Sequence, residues 1–255
     1  MFDDISAKKL SFGEILSMGW KIYRAKIAII GAIMLIAGLP TILAQFTILD
    51  SIGEGVFSPG YFLLTLVGIL TSILGVLAVS YVVDETVNGR GVTIREAFNK
   101  AFSRWGSSIW TGILCALIIL GLSLLLIIPG IIWSGYYIFS VYVVALKGLA
   151  GKEALDYSKG LVVGRWWEVF FVNLGIGLIT GVIAFPVAFL PSMLTIGALG
   201  QGPTSLVLAI ITCIYLVIYA FYYVAALVYF LNLDSAKITL SSSYVIDEGK
   251  PPIAE

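Results

Sequence analysis

The chain alternates long apolar runs with short charged connectors. Six runs, 27–49, 61–83, 107–128, 131–146, 167–190 and 206–231, are dominated by aliphatic and aromatic residues and contain no Lys or Arg. About 20 such residues in a helix cross the hydrocarbon of a bilayer, so each run predicts one membrane span. The fourth is short and is expected to continue toward Ala150. Barrel strands would instead show about ten residues of alternating polarity, and these runs do not alternate.

The connectors before the odd-numbered runs carry a second pattern. In the first, Phe12, Ile15, Leu16, Gly19, Trp20 and Tyr23 follow the spacing of one helix face. In the second, Ile94, Ala97, Phe98, Ala101, Phe102 and Trp105 repeat it. Ser11-x-x-Glu14 and Thr93-x-x-Glu96 precede these faces as capping boxes. The third connector keeps the register at Glu153, Ala154, Leu155, Ser158 and Val162, while Lys159 interrupts it and no Ser or Thr precedes Glu153 by three. The expected fold class is therefore all-α: a polytopic bundle of six spans, with short amphipathic interfacial helices before spans 1, 3 and 5. Residues 1–26 form the N-terminal segment with its interfacial helix, 27–231 the six-span domain, and 232–255 the C-terminal tail. Residues 1–10 lack the features of a signal peptide, carrying Asp3, Asp4, Lys8 and Lys9.

Composition agrees: 60% of residues are hydrophobic and 12% charged, where soluble domains have about 25% charged. The 15 Lys and Arg supply the orientation. With six spans they fall in 1–26, 84–106, 147–166 and the tail, and none falls in the opposite connectors. The positive-inside rule then puts both termini in the cytoplasm of a multi-pass cell-membrane protein. Trp20, Trp105, Trp166 and Trp167 are expected as inner-interface anchors, with Trp110 near them, and Trp133, Tyr136 and Tyr137 as outer ones.

Residues from about 91 to 173 carry a family resemblance. They include Thr93-Ile94-Arg95-Glu96-Ala97-Phe98, the hairpin Ile127-Ile128-Pro129-Gly130-Ile131, Lys152-Glu153-Ala154-Leu155, Ser158 and Gly164-Arg165-Trp166. The segment resembles the prokaryotic YciC-like membrane proteins and the related glycerophosphoryl diester phosphodiesterase membrane-domain group. The resemblance implies a helical protein of six or a similar number of spans. It does not imply phosphodiesterase activity, which belongs to a separate soluble barrel domain that this chain has no room for.

Candidate chemistry is sparse. There is no histidine, and no nucleophile–base set, phosphate loop or nucleotide fingerprint, so an enzyme and a cofactor are not expected. Zero net charge gives no reason for a nucleic-acid partner. Glu14 and Glu96 read as caps and Glu153 as solvated, against a ring of functional carboxylates. Asp84, Glu85 and Asp234 read as solvated helix ends, and Cys115 and Cys213 as small fillers. Pro40 and Pro186 read as kinks rather than as marks of a transport site. Tyr215, Tyr219 and Tyr222 share a face that is expected to point into the bundle, by helix packing or as a cavity lining. Gly177-x-x-x-Gly181 allows close helix approach. Gln45, Asn173 and Asn232 are the intramembrane amides, and the interiors of the runs hold no ionisable group for ion coupling.

Arg24, Arg104 and Arg165 recur where each unit enters the bilayer, as lipid-headgroup contacts or as separate anchors. The leading expectation is a non-enzymatic scaffold or accessory protein whose partners are the bilayer, an anionic phospholipid or another membrane protein. The alternative is a transporter or translocator of a neutral or amphipathic, lipid-like substrate.

Overall fold

The computed structural model describes residues 9–47, 59–198 and 201–248. Every regular element among them is helical. In chain order they are α1 (Phe12–Ala37), α2 (Leu39–Ala44), α3 (Pro59–Val87), α4 (Ile94–Leu125), α5 (Ile127–Tyr136), the short α6 (Ser140–Tyr142) with a π-helical turn (Val143–Lys147), α7 (Lys152–Val162), α8 (Trp166–Ala198) and α9 (Gln201–Glu248).

Among the described residues five helical segments, not six, are long and apolar enough to cross a membrane: Pro59–Val87, Ile94–Leu124, Ile127–Lys147, Trp166–Val187 and Thr204–Ile238. The expected first span does not form one apolar helix. α1 begins with the charged stretch holding Lys21, Arg24 and Lys26, and leaves helical geometry at Lys26 (φ −121°, ψ 17°). It stops at Ala37, Gly38 starts α2, and Pro40, without an N–H, stands at the beginning of that helix. Residues 48 and 49 of this run lie outside the described residues. Pro186, by contrast, interrupts nothing, because α8 runs through it.

The interfacial helices also need correction. Both capping boxes form: Ser11 and Thr93 N–H groups donate to Glu14 and Glu96, each at 2.8 Å, and their side chains accept from the same residues' backbone. The helices so started do not end at the apolar run. α1 continues through its kink and α4 continues without a break, which keeps backbone groups paired where lipid offers no partner. Only α7 is a separate short helix. The small residues of the predicted faces pack inward. Gly19 lies against Ala225 of α9, and Ala97 and Ala101 are buried while Phe12, Trp20 and Phe102 are exposed.

The α4–α5 turn falls at Leu126 (φ −158°, ψ 136°), ahead of the expected Pro129-Gly130. Pro129 instead occupies the first turn of α5, where a missing N–H costs nothing. Gly130 is required by close approach, since a Cβ there would collide with Ser123 Oγ. The fourth run is bent rather than straight. α5 ends at Tyr136, and the exposed backbone is paired by Ser158 of α7, which donates to Tyr136 O (2.8 Å) and accepts from Phe139 N–H (3.2 Å). The bend leans α5 onto α7 and α8. Trp133, expected at the opposite interface, sits under Lys159 Nζ at 4.5 Å, and Trp166 Nε1–H donates to Ile132 O at 2.9 Å.

The core gathers around the second half of α9. Phe139 packs edge-on to Tyr229 with centroids 5.9 Å apart, and Tyr142 lies against Phe230 at the same distance. Ile15 and Ile22 of α1, Leu77, Val79 and Val82 of α3, and Ala154 and Leu161 of α7 close it. α9 does not end at Leu231, and Asn232, Leu233 and Asp234 are buried. Away from this core, large apolar side chains cover the outside: Leu124 is 81% and Val182 71% exposed. Such a surface is stable in hydrocarbon and not in water. This is a multi-pass membrane protein.

Candidate functional site

Charged groups from separate connectors meet at one end of the bundle. Lys9 pairs with Glu168 at 2.7 Å, and Leu10 N–H donates to Asn232 Oδ1 at 3.1 Å. Glu168 stands just inside the fifth apolar run. Asp234, expected as a solvated helix end, is 5% exposed. It accepts a hydrogen bond from the Tyr157 hydroxyl and an ion pair from Lys147 Nζ at 2.6 Å. Lys237 Nζ lies 4.2 Å from the Tyr157 ring centroid, within cation–π range. Burial first, then the Asp234 carboxylate, pushes the Tyr157 phenol well above its ordinary pKa. One acidic residue thus ties α7, α9 and the π-helical turn together.

The three arginines have different surroundings. Arg24 is exposed on α1 and Arg165 is half-buried before α8. Arg104 Nη1 donates to Gly148 O at 3.2 Å, and a Cβ at Gly148 (φ +74°) would collide with that guanidinium. Among the predicted anchors, Trp20 and Trp167 are exposed. Trp105 donates to Leu70 O at 2.9 Å, and Trp166 stacks on Phe170. Glu153 is exposed. Cys115 and Cys213 are free, half-buried thiols. Among the described residues no His, Cys, Asp and Glu group could hold a metal.

Two cavities flank the aromatic part of α9. The larger is a lateral groove of about 730 Å³ between α1, α8 and α9. Gly13, Ser17, Trp20 and Ile27 line its α1 wall, Ile179 and Ile183 its α8 wall, and Val217 and Phe221 its floor. Tyr23 is fixed there by its hydroxyl, which donates to Val217 O at 2.7 Å. Trp20 and Tyr23 both pack edge-on to Phe221, with centroids 5.9 Å away. Arg24 follows Trp20 by one helical turn and is exposed beside the groove, ahead of the kink at Lys26, without being one of its lining residues.

No protein-family model, curated protein or solved structure matches this chain.

The second cavity, about 490 Å³, lies between α5, α8 and α9 and is lined in part by Tyr219 and Tyr222. Tyr215, Tyr219 and Tyr222 form a stacked ladder with 5.5 Å between neighbouring rings. The lining alternative for the tyrosine face therefore holds for two of the three. Asp234 as a buried hub and Ser158 as the partner of unwound backbone are not legible in the apolar pattern. Asp234 had one local signal, its position four residues after the buried Phe230 on the same helical face.

Proposed function

We propose that the protein is a non-enzymatic accessory or scaffold protein of the cell membrane that holds an anionic phospholipid in the groove between α1, α8 and α9. The observation that carries this reading is the α1 wall of the groove, Gly13, Ser17, Trp20 and Ile27, with the exposed Arg24 one turn beyond Trp20 on the same helix, beside the lining rather than in it. Ile183 and Trp20 are 55% and 51% exposed, so acyl chains enter the groove directly from the bilayer. A guanidinium bonds a phosphate through two N–H groups, and an aromatic cluster beside it suits the interface. Arg104 and Arg165, with other neighbours, act as separate anchors.

The same reading keeps six crossings and cytoplasmic termini. Leu10 is tied to Asn232, whereas Thr41 approaches Gly68 and Gly38 approaches Leu216. Sixteen residues of α9 separate Asn232 from Leu216, about 24 Å at 1.5 Å per residue. α1 and α2 together thus travel most of a membrane thickness, as one broken crossing. The positive-inside rule sets the charged end in the cytoplasm, with Asn88→Cys protected from an external thiol reagent and Gly53→Cys labelled by it.

A second reading, lipid translocation, is favoured by two broken crossings in one bundle, at Gly38 and at Tyr137–Phe139. Native mass spectrometry of the purified chain separates binding from a bare bilayer contact. Arg24→Gln should lower retained phosphatidylglycerol about fivefold, the equivalent of roughly 1 kcal/mol for one basic contact, and Gly13→Phe should lower it by filling the groove. Arg95→Gln, on an exposed residue away from the groove, should not. Equal retention in all three variants removes the groove as a lipid site.

A further inference from the structure

The cavity between α5, α8 and α9 has a different chemistry from the groove. No charged residue lines it. Its mouth is framed by Leu174 and Leu178, 43% and 59% exposed, so it also opens toward lipid. Inside stands Asn173, which is 6% exposed. Its Nδ2 donates to Val169 O, one turn back on the same helix, at 2.9 Å. That bond fixes the amide orientation, because the opposite flip would set oxygen against oxygen. The remaining atom, Oδ1, is buried without a hydrogen-bond partner.

A buried acceptor left unpaired is costly, and a bound donor recovers that cost. Ser134 in the same wall gives its own hydroxyl proton to Ile131 O at 2.8 Å, so it does not satisfy the amide. Tyr219 and Tyr222 of α9 also line the cavity, with their rings stacked on each other. The volume of about 490 Å³ falls within the range of small-molecule pockets.

We propose that this cavity is a second, independent lipid site, selective for an uncharged lipid with a free hydroxyl, of the diacylglycerol or long-chain alcohol type. The ligand hydroxyl donates to Asn173 Oδ1, and its oxygen accepts from a tyrosine hydroxyl. The absence of any lining charge disfavours phosphate headgroups, which lose their hydration there without a counter-charge. A ligand that can only accept leaves Asn173 unpaired, and sites built for a donor reject such analogues strongly.

The test compares dioleoylglycerol with its 3-O-methyl ether, titrated onto the full chain in lipid nanodiscs and read by native mass spectrometry. The wild-type chain should bind dioleoylglycerol at least tenfold more tightly than the ether, a comparison that needs no variant to fold. Asn173→Leu should abolish that preference. Gly177→Leu leaves Asn173 in place, and its Cβ meets only the Tyr222 ring, at 3.9 Å. It should block both ligands by filling the space. Gly13→Phe, in the groove, should leave dioleoylglycerol binding unchanged. Equal affinity for alcohol and ether overturns the proposal. So does a loss in Gly13→Phe as large as in Asn173→Leu, which would place the diacylglycerol in the groove. Loss of phosphatidylglycerol retention with the Asn173 preference intact would bear only on the groove.

Discussion

The Lys147–Asp234 pair should be strongly coupled, with an asymmetry set by burial. The Asp234 side chain is 8% exposed and that of Lys147 32%. Lys147→Met strands a carboxylate that water barely reaches, although the Tyr157 hydroxyl still donates to it. Removing one partner of a fully buried pair costs about 3–5 kcal/mol, and the surviving Tyr157 bond puts this loss near the lower end, about 3 kcal/mol. Asp234→Asn keeps an acceptor for Tyr157 and leaves a lysine that can turn toward solvent, so its cost is smaller, about 2 kcal/mol. The double variant contains neither stranded charge. Its loss should fall short of the sum by about 2 kcal/mol, the coupling of groups in direct contact. Reversible unfolding in dodecylmaltoside–dodecylsulfate micelles, followed by helical circular dichroism, gives all four corners of the cycle. Additivity within about 0.5 kcal/mol, as for distant sites, would refute the reasoning, as would a larger loss in Asp234→Asn than in Lys147→Met.

Three further outcomes follow from local structure. Ser158→Ala removes the donor to Tyr136 O and the acceptor of Phe139 N–H; it should cost about 1–3 kcal/mol and speed hydrogen exchange at the Phe139 amide. Thr93→Ala should lower stability by about 1 kcal/mol through loss of the α4 cap, measured in the same micelles, and Thr93→Ser should restore it. The raised Tyr157 pKa makes stability fall in alkali: its contribution is complete below the ordinary value of 10.0 and is lost as pH rises from there through the folded value. Tyr157→Phe should flatten that limb, and phenolate absorbance should show one tyrosine fewer resisting ionisation in the variant.

What the sequence made legible was local. The capping boxes at Ser11 and Thr93 act within four residues, and each formed. Continuous apolarity identified the helices that carry most of the membrane domain, because lipid demands it of every exposed turn. The same continuity concealed the breaks. Nothing in the apolar pattern of 127–147 distinguishes α5 from the π-helical turn, since the bend is stabilised by Ser158, a residue on another element. The first crossing was legible as a run but not as two helices, because Gly38 and Pro40 are also tolerated inside membrane helices. Asp234 reads as a solvated end until Lys147 and Tyr157 are brought to it by the fold. The two cavities were the least legible, being formed by three helices each. Only the shared face of Tyr219 and Tyr222 and the amide of Asn173 hinted at one of them.

Electron cryo-microscopy of the full chain in phosphatidylglycerol nanodiscs shows whether a phospholipid occupies the groove between α1, α8 and α9. An acyl chain is expected between Trp20, Ile183 and Ile218, with headgroup density against the Arg24 guanidinium. A groove closed by inward movement of α8, or a headgroup seated away from Arg24, would contradict the proposed site.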